Sequence, residues 1–353
     1  MENCTSAPSP EEDDYEEYDV LIVGNLSDHE DAEPCAHYNG RPLSAQLVPR
    51  LYSTLFAAGL LSNVVVVLVL VKHKGLRQVE NIYFLNVALS NLCFLLSLPL
   101  WAHAASHGGV PGELACRFLE GLSALGLCGE ALGCMLLAVH RCLAFSAGRR
   151  LSWAASSVPC GVTVSLLAWV LVTLFTLPEL MSPIPQRDGW AARCSAISPL
   201  FLPAEEPFWK DFLTLKTNVL GFLLPLLALL ALLACSEGLS SRDRRHDLDR
   251  LALAMLAVFL LMWGPYNVTL FLWTYEEHFS LQDCQTAYAL HRAVHVTKII
   301  ADVHCCANPL LYVLLDRAFR GHLGRLCPGC GRAPPSREAR DPPREEHGHC
   351  TGV

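Results

Sequence analysis

The chain has 353 residues, of which 52% are hydrophobic and only 17% charged, a balance that excludes an ordinary soluble domain and points to a membrane. The net charge of −8 is unevenly placed: residues 1–40 hold twelve acids and no Lys or Arg, which leaves the remainder at +4. The first forty residues are therefore a separate electrostatic object.

This acidic stretch, within an expected N-terminal tail over 1–45, carries Asn3-Cys4-Thr5 and Asn25-Leu26-Ser27. Both triplets are acceptor patterns for N-glycosylation at Asn3 and Asn25. Its composition is that of a solvated, disordered segment. No basic and apolar leader opens the chain, so no cleavable signal peptide is expected and the first apolar span serves as the insertion signal.

Apolar runs long enough to cross about 30 Å of hydrocarbon, about 20 helical residues each, fall near 51–71, 82–101, 117–139, 158–180, 211–235, 251–274 and 293–315. Seven is odd, so the termini lie on opposite faces. The segments on one side hold 17 of the 26 Lys and Arg, including Arg149, Arg150, Arg242, Arg244 and Arg245, against six on the other. The positive-inside rule then puts the C-terminus in the cytoplasm and the acidic tail outside. The seventh run holds His295, Lys298, Asp302, His304 and Asn308, tolerable only if its polar side faces the interior of a helix bundle. The expectation is an all-α membrane protein: a seven-helix bundle over 46–315, followed by a cytoplasmic amphipathic helix and tail over 316–353.

Of sixteen cysteines, this topology places Cys4, Cys35, Cys116, Cys194 and Cys284 outside, where disulfides persist. Cys116 with Cys194 could tie the long loop before the fifth run to the bundle, and Cys35 with Cys284 could close the bundle into a ring. Cys4 is left over. Cys93, Cys128 and Cys134 read as small apolar core residues. His304-Cys305-Cys306 has the residue types of a zinc site, but adjacent helical residues point about 100° apart and cannot share one ion. Cys327 and Cys330 follow the amphipathic stretch DRAFRGHLGRL, where they are open to palmitoylation, to no modification, or to zinc binding with His347, His349 and Cys350. No motif calls for a resident metal or cofactor, and none supplies paired aspartates, a Ser–His pair or HExxH for an intramembrane enzyme. Internal repeats are absent, which argues against a transporter.

Asn63, Trp169, Pro225, WGPYN at 263–267, HCCANPLLY at 304–312 and Arg141 together resemble the rhodopsin-like G-protein-coupled receptors over about 45–325. SLPLW at 97–101, WGPYN, HCCANP and the two outer cysteine pairs are similar to the chemokine receptors. So is the acidic EEDDYEEYD at 11–19, whose Tyr15 and Tyr18 are open to sulfation. YDVLI, LSAQLVP, VENIYFLN, NLCFLL, FLPAEEPFWKDFLTLK and EHFSLQDC closely resemble an atypical branch of that family. This resemblance implies capture of the chemoattractant chemerin at the plasma membrane without a conventional G-protein signal. CC chemokines, membrane lipid and hetero-oligomers with other chemokine receptors are further expected partners. The runner-up is a signalling chemokine receptor coupled to an inhibitory G protein.

The resemblance also implies site residues. Tyr15, Glu16, Glu17, Tyr18 and Asp19 would attract a basic partner electrostatically. Tyr52, Trp101, Tyr266 and Lys298 would line the ligand cavity. Lys298 stands where most chemokine receptors have a glutamate; either it pairs internally with Asp302 at i+4, or it offers a cation to an acidic group of the ligand. Trp263, Pro265, Asn308, Pro309 and Tyr312 belong to the motifs that switch in this family, the two prolines by kinking their helices. Asn91 replaces the span 2 aspartate that helps hold sodium in relatives. Glu130 falls at the serine lining the same pocket, where it is expected to be protonated and bonded to Asn91, or else to relocate the ion.

Signalling members end span 3 with Asp-Arg-Tyr, whereas here His140, Arg141 and Cys142 stand in line. Neutral His140 is a poor partner for the guanidinium, so Arg141 is expected to snorkel to water, with no acid holding it at rest. CLAFSAGRRLSW lacks the family's usual inner-loop motif. After residue 313 only Ser336 and Thr351 can take phosphate, which is sparse for arrestin recruitment.

Overall fold

The computed structural model describes residues 47–107, 112–146, 157–181, 183–188, 191–196, 206–237, 245–281 and 283–326. The acidic tail with Tyr15 to Asp19, both glycosylation triplets, Cys35, Cys327 and Cys330 lie outside the described residues. Among those described, seven helices are long and apolar enough to cross a membrane: Leu47–Lys74, Val79–His107, Leu114–Ala144, Val158–Leu180, Asp211–Ser236, Leu248–Thr274 and Gln285–Leu315, here spans 1 to 7. The end of the bundle where span 1 begins is the near end, and its opposite the far end.

The most substantial boundary correction concerns span 7. It begins about two turns before the expected 293, because His291, Arg292 and His295 are polar residues on a continuing helix. Asp283 caps that helix by accepting from the Thr286 N–H at 3.0 Å, and this holds its carboxyl below the usual range. A second addition is an antiparallel hairpin between spans 4 and 5, strand β1 (Pro183–Asp188) with β2 (Ala191–Ala196), which pairs Pro185 with Cys194 and packs against span 3. After span 7 the short helix Arg317–Leu326 forms as its pattern predicts. It is capped by Asp316, which accepts from the Phe319 N–H at 2.9 Å and pairs with Lys74 of span 1.

Leucines and valines of span 4 (Leu166, Leu167, Val170, Leu174) and span 5 (Leu227, Leu230) point outward, as a lipid-facing surface requires. The interior is built around spans 2, 3, 6 and 7, with Phe84, Phe94, Leu137, Phe259, Trp263 and Tyr312 fully enclosed. Since lipid is as apolar as leucine, close approach rather than hydrophobic transfer holds such helices together. Span 3 supplies it with Gly126, where an added Cβ would come within 2.4–2.8 Å of Phe94, backbone included.

Pro178, Pro265 and Pro309 lie inside the helices of spans 4, 6 and 7, each removing one backbone N–H. The carbonyl that Pro309 leaves free belongs to Cys305, four residues earlier, and Asn63 of span 1 donates its Nδ2 to it at 2.8 Å. Span 7 also breaks for one residue at Val303, between Asp302 and His304. In span 5, the turns before Pro225 widen into a π-helical stretch at Val219–Leu223.

Gly126→Ala is expected to destabilise the purified receptor by about 1–3 kcal/mol through overpacking against span 2. Gly321→Ala, on the short helix with nothing within 4 Å, is expected to be neutral or to stabilise by up to about 1 kcal/mol. Thermal unfolding of the two variants beside the parent checks the contrast.

Candidate functional site

Polar side chains gather in three layers inside the bundle. At the near end, the four residues expected to line a cavity gather around the pair of Lys298 and Asp302, the latter fully buried. The Tyr52 hydroxyl donates to Asp302 Oδ2 at 3.1 Å, and Lys298 pairs with Oδ1. The Lys298 ammonium lies 5.5–5.9 Å from the ring centres of Trp263, Phe94, Trp101 and Tyr266. Aromatic faces attract a cation, so the charge is held by one acid and four rings. Of the two arrangements open to Lys298, the folded chain adopts the internal pair. Trp101 donates its Nε1 to Ser123 at 3.4 Å, and Tyr52 and Tyr266 are buried.

One turn deeper is the central layer. Glu130 is 1% exposed and does not bond to Asn91, contrary to expectation. It meets span 7 instead: Asn308 Nδ2 donates to Oε1 at 2.5 Å, and His304 Nε2 lies 2.7 Å from Oε2 in an ion-pair contact. The reason is rotational. The break at Val303 turns His304 inward, and its Nδ1 faces the Ala301 carbonyl at 2.7 Å. Asn91 is fully buried with neither amide atom bonded to protein. Trp263 packs edge-on against His304 and Tyr266, at 5.1 and 5.8 Å between ring centres. Cys305 and Cys306 diverge from His304, their thiols meeting the Asp302 and Leu55 carbonyls respectively.

The far-end layer overturns the expectation for Arg141. Rather than reaching water it is 3% exposed, with Nε 2.6 Å and Nη2 2.5 Å from Asp249 of span 6, and Nη1 3.2 Å from Glu80 at the start of span 2. Acids on spans 2 and 6 thus take the place of the Asp-Arg-Tyr acid in holding the guanidinium. His140 packs beside it, 3.9 Å from Glu80 and edge-on to Tyr83 at 5.7 Å. Cys142 hydrogen-bonds Cys235 of span 5. Tyr312 packs between Phe84 and Phe319, at 5.3 and 5.4 Å.

Sequence reasoning missed Glu80, Asp249 and the partner role of His304. Two of these had a signal: acids in the first turns of spans 2 and 6, at the end of the bundle richest in Lys and Arg. Cys116 is disulfide-bonded, while the side chains of Cys194 and Cys284 lie outside what is described.

A buried arginine at the far end of span 3, a tryptophan and proline in span 6, and an Asn-Pro break in span 7 form the framework against which comparison is informative. The family model described as "7 transmembrane receptor (rhodopsin family)" matches residues 62–312. The chain belongs to that family. Among its members it is similar to "Chemokine C-C motif receptor-like 2" of Bos taurus, 51% identical over 95% of this chain and 94% of that one. It is also similar to "C-C chemokine receptor-like 2" of Homo sapiens, 47% identical over the full length of both, and to that of Mus musculus at 44% over 99% and 96%. The chain is thus a chemokine receptor-like, multi-pass protein of the cell surface, and its family is one of receptors, not enzymes.

Lys298→Ala is expected to destabilise the receptor by about 3–5 kcal/mol, because Asp302 is left as a buried charge without its cation. Lys298→Ala with Asp302→Asn should recover most of that stability. Unfolding midpoints of the single and double variants, read side by side, check the pair.

Proposed function

We propose that this chain is an atypical cell-surface receptor that binds chemerin, with CC chemokines as further ligands, and concentrates or presents it with little or no G-protein signalling. The tail faces outward, as the arginine-rich far end supports, and draws in basic partners through Glu16, Glu17, Asp19 and sulfated Tyr15 and Tyr18. N-glycans on Asn3 and Asn25, the pairs Cys116–Cys194 and Cys35–Cys284, and palmitoylation at Cys327 and Cys330 complete the outer and inner attachments. Chemerin itself is supported by the sequence resemblance, since no charge pattern selects it.

The observation that carries the silent reading is the enclosure of Arg141. The resemblance implies that signalling needs that guanidinium freed to meet a G protein. Here Asp249 draws span 6 onto Arg141 and Glu80 adds span 2. Breaking such a pair from one side strands a buried charge, at a cost of about 3–5 kcal/mol. A ligand at the near end can shift the equilibrium only by its differential affinity for the two packings. The internal prolines of spans 6 and 7 remain as inherited features of the sequence.

Cells displaying the receptor should bind labelled chemerin saturably while cAMP and calcium stay unchanged. A chemerin-evoked fall in cAMP would contradict this and favour the signalling receptor coupled to an inhibitory G protein. His140→Asp with Cys142→Tyr should leave the receptor silent, because Arg141 keeps Asp249 and Glu80; robust chemerin-evoked activation in that double variant would place the block in the two substituted residues.

A further inference from the structure

The central layer contains a charge arrangement independent of any ligand reading. The resemblance to rhodopsin-like receptors implies a sodium ion here, held by an acid in span 2. In this chain that position is Asn91, and the carboxylate of the layer is Glu130, on span 3, already engaged by span 7.

The protons of the Glu130–His304 contact can be counted. His304 Nδ1 lies 2.7 Å from the Ala301 carbonyl oxygen. That oxygen only accepts, so Nδ1 carries a hydrogen. Nε2 lies 2.7 Å from Glu130 Oε2 as an ion-pair contact rather than an aligned hydrogen bond, and two bare lone pairs do not approach so closely, so one of the two atoms is protonated. Whether that proton resides on nitrogen or oxygen, the pair has zero net charge. Asn308 donates to the other carboxylate oxygen at 2.5 Å, and Phe94 and Trp263 pack edge-on around the imidazole at 4.8 and 5.1 Å. The nearest other acid on span 7, Asp302, is matched by Lys298.

At a site built on one carboxylate, a monovalent cation leaves water in exchange for that carboxylate's net negative charge. A neutral pair offers none, and an imidazolium about 4 Å away repels it by about 4 kcal/mol at the effective dielectric of a protein interior. These residues do not fit a sodium ion. We infer that His304 supplies the proton that neutralises Glu130 and so takes the place of sodium at the centre of this bundle, leaving the receptor's stability and helix packing independent of Na+. Asn91, buried and unbonded to protein, carries no charge at the position where the resemblance implies an acid.

Purified full-length receptor would be unfolded thermally in NaCl and in N-methylglucamine chloride of equal ionic strength. The parent should melt at the same temperature in both. His304→Asn, which leaves Glu130 facing two asparagines without that proton, should melt lower in N-methylglucamine and be raised by several degrees, saturably, by Na+. His304→Gln serves the same purpose if the first variant does not fold, and Glu130→Gln with His304→Asn should no longer respond to Na+. Saturable stabilisation of the parent by Na+, abolished in Glu130→Gln, would overturn the inference. So would Na+ indifference in His304→Asn or His304→Gln, since His304 would then not be what stands in for the ion.

Discussion

In hydrocarbon no buried charge can be left to water, and each must find its counter-charge inside the protein. That constraint organises the interior of this bundle. Lys298 meets Asp302, Glu130 meets His304, and Arg141 meets Asp249 and Glu80. The first pair lies within span 7. The second joins spans 3 and 7, and the third joins spans 2, 3 and 6, so two of the three layers also tie helices together. Pairing of this kind adds little net stability over apolar packing, but removal of either partner is costly. It acts as a register device, since a shift of one span would part these charges.

The backbone obeys the same rule. Pro309 frees the Cys305 carbonyl inside the bundle, and Asn63 takes it. The break at Val303 rotates His304 into the centre, where it meets Glu130. Local sequence thus sets a kink, the kink sets which face of span 7 is polar inward, and that face fixes the spans around it. Span 6 is engaged at two levels. Trp263 packs against the caged Lys298 midway along it, and Asp249 is clamped to Arg141 at its far end.

The seven spans were legible because length and apolar content alone decide what crosses a membrane, and the inward face of span 7 because its polar residues recur at helical spacing. The convergence of Tyr52, Trp101, Tyr266 and Lys298 was legible only through resemblance, since the four come from four spans. What could not be read is partner choice between distant segments. Glu130 had Asn91 and His304 both within one layer, and only the rotation of span 7 decides between them. Arg141 lies at a helix end where snorkelling is the ordinary outcome; the acids that enclose it are 61 and 108 residues away in sequence, and nothing local announces them.

The most direct test of a closed far end is the distance between spin labels placed at the far ends of spans 3 and 6, measured by double electron–electron resonance in the purified receptor with and without chemerin. A clamp that holds against ligand predicts one distance distribution unchanged by chemerin, and a longer one in Glu80→Gln/Asp249→Asn without any ligand. Outward movement of span 6 on adding chemerin to the parent receptor would contradict it.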